Sequence, residues 1–190
     1  MTHSIKAHLY RMGQTTKFIT ILFAAWSLVS CTNQSDTSLA KTILLEEVKN
    51  NHTTANWYVP LSTAIEGLTV EQADWKDSID THSIRELLSH VVFWNEKILR
   101  AFRGDLAVDF NGDNESTFQK LDDLDWKSAV DKLDNIQTQW EEAVEKATEQ
   151  QLKDGGSEIA SMLSHMAYHT GQIVYIRKRN GWWQPSQGVE

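Results

Sequence analysis

"SIRELLSHVVFWNEKILRAF", residues 83–102, decides the fold. Ser83 is followed three residues later by Glu86, the reciprocal pattern of a capping box at a helix start. Behind it Ile84, Leu87, Leu88, Val91, Ile98, Leu99 and Phe102 recur at spacings of three and four. That is the period of a helix with one apolar stripe, not the alternation of a strand. Gly104 supplies the stop signal.

The same pattern repeats on either side. Towards the C-terminus, residues 105–124 are rich in Asp and Asn and read as a long polar loop. Ala129, Leu133, Ile136, Trp140 and Val144 then mark another amphipathic helix, which "KDGGS" (153–157) is expected to break. A last helix follows from about Ser157 to Arg179, stopped by Asn180-Gly181. Towards the N-terminus a helix begins near Leu39, with Leu44, Leu45 and Val48 as its apolar face. Proline removes a helix hydrogen bond, so a kink is expected at Pro60 before the helix resumes through Leu61, Ala64 and Ile65. Residues 68–82 read as connector, with a short helical turn at 70–74. Four helices with one stripe each bury those stripes most simply in an all-α four-helix bundle over 39–190. The long 105–124 connection leaves room for a crossover.

The first thirty residues differ in character. "MTHSIKAHLYRMGQTTK" carries Lys6, Arg11 and Lys17 without an acid, and "FITILFAAWSLVS" follows as an apolar run. A basic segment, a short apolar segment and small residues at its end have the physics of a secretory signal. The run is too short for a comfortable transmembrane helix. Its ending, Leu28-Val29-Ser30-Cys31, resembles the bacterial lipobox, in which the cysteine becomes the lipidated first residue. The expectation is therefore a signal over 1–30, a flexible tether over 31–38 and lipidation of Cys31 at the cell envelope. A leader without signal function, or an apolar N-terminal helix on a cytoplasmic protein, is the other reading. Cys31 is the only cysteine, so the expected folded domain holds no disulfide, no thiol nucleophile and no thiolate metal ligand.

Of the 190 residues 26 are acidic and 18 basic, for a formal net charge of −8. No basic face is present to neutralise a phosphate backbone, which argues against nucleic acid as a partner. Contact with a membrane is expected through the lipid anchor alone. A homodimer is open to such a bundle.

"SHMAYHTGQIVYIRK", residues 164–178, places His165 and His169 one helical turn apart, on the flank of a stripe formed by Met162, Met166 and Ile173. Two imidazoles so placed can share a divalent cation. They can equally be two ordinary histidines at a bundle interface. His90 lies mid-helix between Leu87 and Trp94, again on a stripe flank. With it, three nitrogen ligands would converge across the bundle and leave coordination positions open. Its bland alternative is a helix-edge residue hydrogen-bonded to a carbonyl. His52 is a candidate fourth ligand or a solvated helix residue. His82 reads as a capping or loop residue, and His3 and His8 lie in the leader.

"HSIRELLSHVVFWNEKILRAFRG" followed by "HMAYHTGQIVYIRKRNGWW" resembles the DinB family, also called DinB/YfiT-like, and the resemblance takes in "ANWYVPLSTAIEGLTVEQADW" as well. It implies a four-helix bundle whose three histidines, here His90, His165 and His169, bind a divalent metal, commonly zinc or nickel. Some relatives of the fold are thiol-dependent transferases or isomerases. The resemblance therefore implies a metal-dependent transferase or hydrolase acting on a small molecule or a thiol. A non-catalytic envelope lipoprotein, in which the metal or a ligand cross-links helices, is the alternative. Gln172 is expected to hold a group next to the metal. Glu86, one turn before His90, is a candidate to orient the His90 ring, although a capping role explains it more cheaply. Trp57, Tyr58 and Trp94 are candidates to line a cavity above the site. No catalytic residue stands out.

Overall fold

The structure, a computed structural model, describes residues 39–77, 82–105, 110–119, 121 and 124–189. The expected signal, Cys31 and the tether lie outside the described residues. Six α-helices follow one another: α1 (39–52), α2 (Leu61–Ile65), α3 (Val70–Asp74), α4 (Ile84–Phe102), α5 (Trp126–Lys146) and α6 (Glu149–Arg179). A 3-10 helix, Asn114–Gln119, interrupts the connection between α4 and α5. Among the described residues there is no strand, and no helix is long and apolar enough to cross a membrane.

Side-chain caps fix the starts of the three longest helices. Ser83 and Glu86 form the expected capping box at α4. Asp125 accepts from the Ser128 backbone N–H (2.8 Å) at α5. Thr148 and Gln151 form a second box at α6. Each satisfies donors that the first helical turn leaves without a partner.

The four long helices are α1, α4, α5 and α6, and their contacts give their order. Lys41 Nζ donates to the Glu145 carbonyl (3.2 Å) while His52 meets Asp134 and Glu141, so α1 and α5 run antiparallel. Arg85 lies over Trp126, Asn95 accepts from Gln137 (3.0 Å) and Phe102 packs 5.8 Å from Trp140, so α4 and α5 run parallel. His90 faces His165 while Phe102 faces Gly155, so α4 and α6 are antiparallel. The bundle is therefore up-down-down-up. Two parallel neighbours need a connection that returns the full length of α4, about 28 Å, which is the crossover for which the polar loop left room.

The inner faces carry the stripes read from sequence. Ile84, Leu88 and Val91 from α4 and Ala129, Leu133, Ile136, Trp140 and Val144 from α5 are buried. They meet Ile159, Met162, Met166 and Ile173 from α6, and Val48 from α1. Trp140 is wholly buried. We expect Trp140→Ala to destabilise the fold by about 3–5 kcal/mol, the cost of removing a buried aromatic and leaving a cavity. Urea denaturation measures it, and a loss below about 1 kcal/mol would place the core elsewhere.

Two boundaries differ from the sequence expectation. No kinked helix passes through Pro60: α1 ends at residue 52, and Pro60 is the extended N-cap of α2 (φ −66°, ψ 159°). "KDGGS" does not break a helix either. α5 ends at Lys146, only Ala147 and Thr148 intervene, and α6 runs unbroken through Gly155-Gly156. Packing is the reason. A Cβ on Gly155 would come within 2.8 Å of Phe102 Cδ2, so the missing side chain is the space into which the α4 ring fits.

Candidate metal centre

His90 on α4 and His165 and His169 on α6 come together because α4 and α6 run antiparallel with these positions at one level. The Nε2 atoms of His90 and His165 lie 3.0 Å apart, and those of His169 and His165 2.9 Å apart. His90 and His169 are buried, and His165 is half-buried. These three are the group of side chains that could share one ion among the described residues, and no carboxylate belongs to it.

The outer ring nitrogens decide what the inner ones present. His90 Nδ1 lies 2.5 Å from Thr117 Oγ1. The Thr117 hydroxyl donates its own proton to the Asn114 carbonyl (2.6 Å), so towards His90 it accepts. His169 Nδ1 lies 2.6 Å from Gln172 Oε1, an acceptor, while Gln172 Nε2 donates to Tyr168 (3.3 Å). Both rings therefore carry their proton on Nδ1 and turn a bare Nε2 lone pair inward. A proton on His165 Nε2 could satisfy one of them. A divalent cation satisfies all three. Bonds of about 2.0–2.1 Å in a tetrahedral set put ligand nitrogens about 3.3 Å apart, a few tenths of an ångström wider than the spacing here. The donor set fits a divalent metal.

Burial, followed by the neighbouring imidazoles, pushes His90 down to about 3. Burial and then His169 push His165 down to about 4. Burial also lowers His169, against the opposing effect of the hydrogen bond it donates to Gln172. The three rings are thus neutral at neutral pH, the form that coordinates metal. The sign of the linkage follows. In the unfolded chain these rings take up protons near their ordinary value of 6.5, while in the folded chain they do not. The metal-free protein therefore loses stability as pH falls below about 6.5, down to the folded values. Between about pH 7 and pH 5 the His90 share is about 1–2 kcal/mol. Urea midpoints should fall over that interval, and by less in His90→Leu. An equal fall in both would remove His90 as its source.

The remaining candidate residues fall on both sides. Gln172 touches the candidate site through its hydrogen bond with His169. Trp94 packs edge-on to His90 with 6.5 Å between centroids. Glu86 does not touch His90: it accepts from the Ser83 backbone N–H (2.8 Å) and pairs with Lys76 (2.6 Å), so its role is the cap. His90 is oriented instead by Thr117, and Phe118 stacks on its ring with centroids 4.2 Å apart. Both come from the 3-10 helix within the stretch read as loop. Trp57 is 90% exposed and lines no hollow at the site. Tyr58 takes a hydrogen bond from Asn51 Nδ2 (2.7 Å) at the end of α1. His52 is not a fourth ligand: its two ring nitrogens lie 3.0 Å from Asp134 and 2.8 Å from Glu141. His82 stacks on the outer face of Phe118, with centroids 3.7 Å apart.

The family profile of the DinB superfamily matches residues 58–173. The match covers more than half of the chain, including all three histidines, and the chain belongs to the DinB superfamily. No curated protein and no solved structure matches it.

Proposed function

We propose that this protein is a metal-dependent enzyme of the transferase or hydrolase kind, acting on a small molecule or thiol at an open three-histidine site. One observation carries the reading: two rings locked with their protons outward turn bare nitrogens onto a common point. Zinc and nickel both suit three imidazole nitrogens. A cation held there supplies a Lewis acid, able to acidify water or a thiol at neutral pH. The chain supplies the rest. Thr117 and Gln172 hold two ligands in orientation, and Phe118 covers one face of His90. His52 is engaged by carboxylates, and no other described His, Cys, Asp or Glu joins the three to close the remaining coordination positions. That openness favours catalysis over a purely structural ion.

The reading includes attachment at the cell envelope through lipid on Cys31, supported by the basic and apolar leader. Metal analysis of protein purified without a nickel column should give about one divalent ion per chain. Thiol consumption with an electrophile should then depend on that ion. A protein that takes up one ion yet consumes no thiol and hydrolyses no ester or amide with any electrophile panel would leave the ion a structural one.

A further inference from the structure

Gly171 sits in the interior of α6 where nothing in the fold requires a glycine. Its φ is not positive, and a Cβ built there meets nothing within 4 Å. Glycine in a helix interior is destabilising relative to alanine. Gly155, on the same helix, has a reason in Phe102. Among the described residues nothing gives Gly171 such a reason.

What Gly171 borders is a hollow of ≈ 620 Å³ between α6 and the residues Trp75, Asp77, His82 and Leu87. Trp75, Leu87, Tyr168, Gln172, Tyr175 and Ile176 supply its ring faces and apolar surface. Tyr168 and Tyr175, three residues before and four after Gly171, share its helix face. They are 64% and 65% exposed, where such side chains ordinarily find cover. The charged groups at the hollow are matched within the protein. Arg179 pairs with Asp77 (2.5 Å), and His82 lies 3.7 Å from both Glu86 and Glu115. An apolar, aromatic-walled hollow whose charges are already paired suits an uncharged occupant.

We propose that this hollow binds an uncharged small molecule with a flat aromatic or conjugated ring, seated between Tyr168 and Tyr175 against the bare backbone of Gly171. Its place in the chemistry rests on the metal reading, as the substrate pocket of that site, because Gln172 both lines the hollow and holds His169. The binding itself does not require the metal.

N-phenyl-1-naphthylamine, a neutral fluorescent aromatic, is the probe. The full chain should bind it with saturable enhancement at one site. Gly171→Leu places a side chain into the open space and removes no metal ligand. It should keep the helical circular dichroism, hold or raise the melting temperature because leucine favours the helix over glycine, keep the bound ion, and weaken the probe at least tenfold. His90→Ala should lose the ion and keep the probe, so a failure of the metal reading and a failure of the pocket are told apart. Unchanged probe binding in Gly171→Leu, or no saturable binding in the unaltered chain, overturns the proposal. So does sedimentation that shows a dimer at the assay concentration and a monomer for Gly171→Leu, since the occupant would then be a second copy of the chain.

Discussion

His90→Ala and His169→Ala should each abolish stoichiometric metal binding, with affinity lowered by at least about 100-fold. Either change removes one of three converging nitrogens. The two that remain cannot hold the ion against water with the same geometry. His52→Ala and His82→Ala should retain the ion, because His52 is clamped between Asp134 and Glu141 and His82 stacks outside Phe118. Thr117→Val and Gln172→Leu should fall between, about 10–100-fold weaker, since each unlocks the tautomer of one ligand. The metal-free chain is expected to fold without the ion, on the buried apolar stripes that include Trp140. Metal at a hundredfold excess over its dissociation constant should add about 2.7 kcal/mol to the unaltered protein and nothing to His90→Ala. Thermal melts with and without metal on these variants test the whole set. Full occupancy in His90→Ala would end the three-histidine site.

Arg177→Met should cost about 3–5 kcal/mol of folding stability without touching the metal. Arg177 is only 4% exposed, and carbonyls rather than a carboxylate satisfy most of it. Its Nη1 donates to Thr63 (3.2 Å) and Ala64 (2.7 Å) at the end of α2, where the helix dipole favours a cation. Its Nε and Nη2 donate to the Trp182 carbonyl at 3.3 and 3.1 Å, and Nη2 reaches Gln187 (3.4 Å). The guanidinium also lies 5.0 Å from the Trp183 ring. One side chain thus ties α2, α6 and the C-terminal tail. Methionine keeps the volume but leaves several acceptors without donors, each worth about 1–3 kcal/mol when buried. The melting temperature should drop by roughly 6–20 °C. Arg177→Lys should recover part of this, because an ammonium lacks the planar fork. A loss under about 1 kcal/mol for Arg177→Met would mean that the carbonyls find water instead.

The legible part of this chain was what repeats. Ile84 to Phe102 and Ala129 to Val144 announce their buried faces by spacing alone, and Ser83 and Glu86 announce the start of α4. His165 and His169 could be paired because one helix fixes their separation. Features set by tertiary contact were harder to read. Gly155-Gly156 reads as a breaker until Phe102 is placed against it. Thr117 lies among Asp and Asn in a segment with no periodicity, and nothing local shows that it caps the His90 ring 27 positions back. The one available signal was Phe118, a large apolar residue with no stripe of its own. For Glu86 the i, i+4 spacing permits a contact with His90, but the capping box is the cheaper reading, and the capping geometry turns its carboxylate towards Ser83 and Lys76.

The 3-10 helix at Asn114–Gln119 makes the crossover between α4 and α5 part of the coordination chemistry. Thr117 accepts from His90 only while its own proton is held by Asn114, so segment order and ligand orientation are a single equilibrium. Thermodynamic reciprocity would then apply to any ion held by the three histidines: whatever orders this segment would tighten it, and it would order the segment by the same factor. Protease sensitivity along the crossover becomes a gauge of metal occupancy. Substitutions there should tune affinity without altering a ligand, because they act on the orientation of the His90 ring through Thr117.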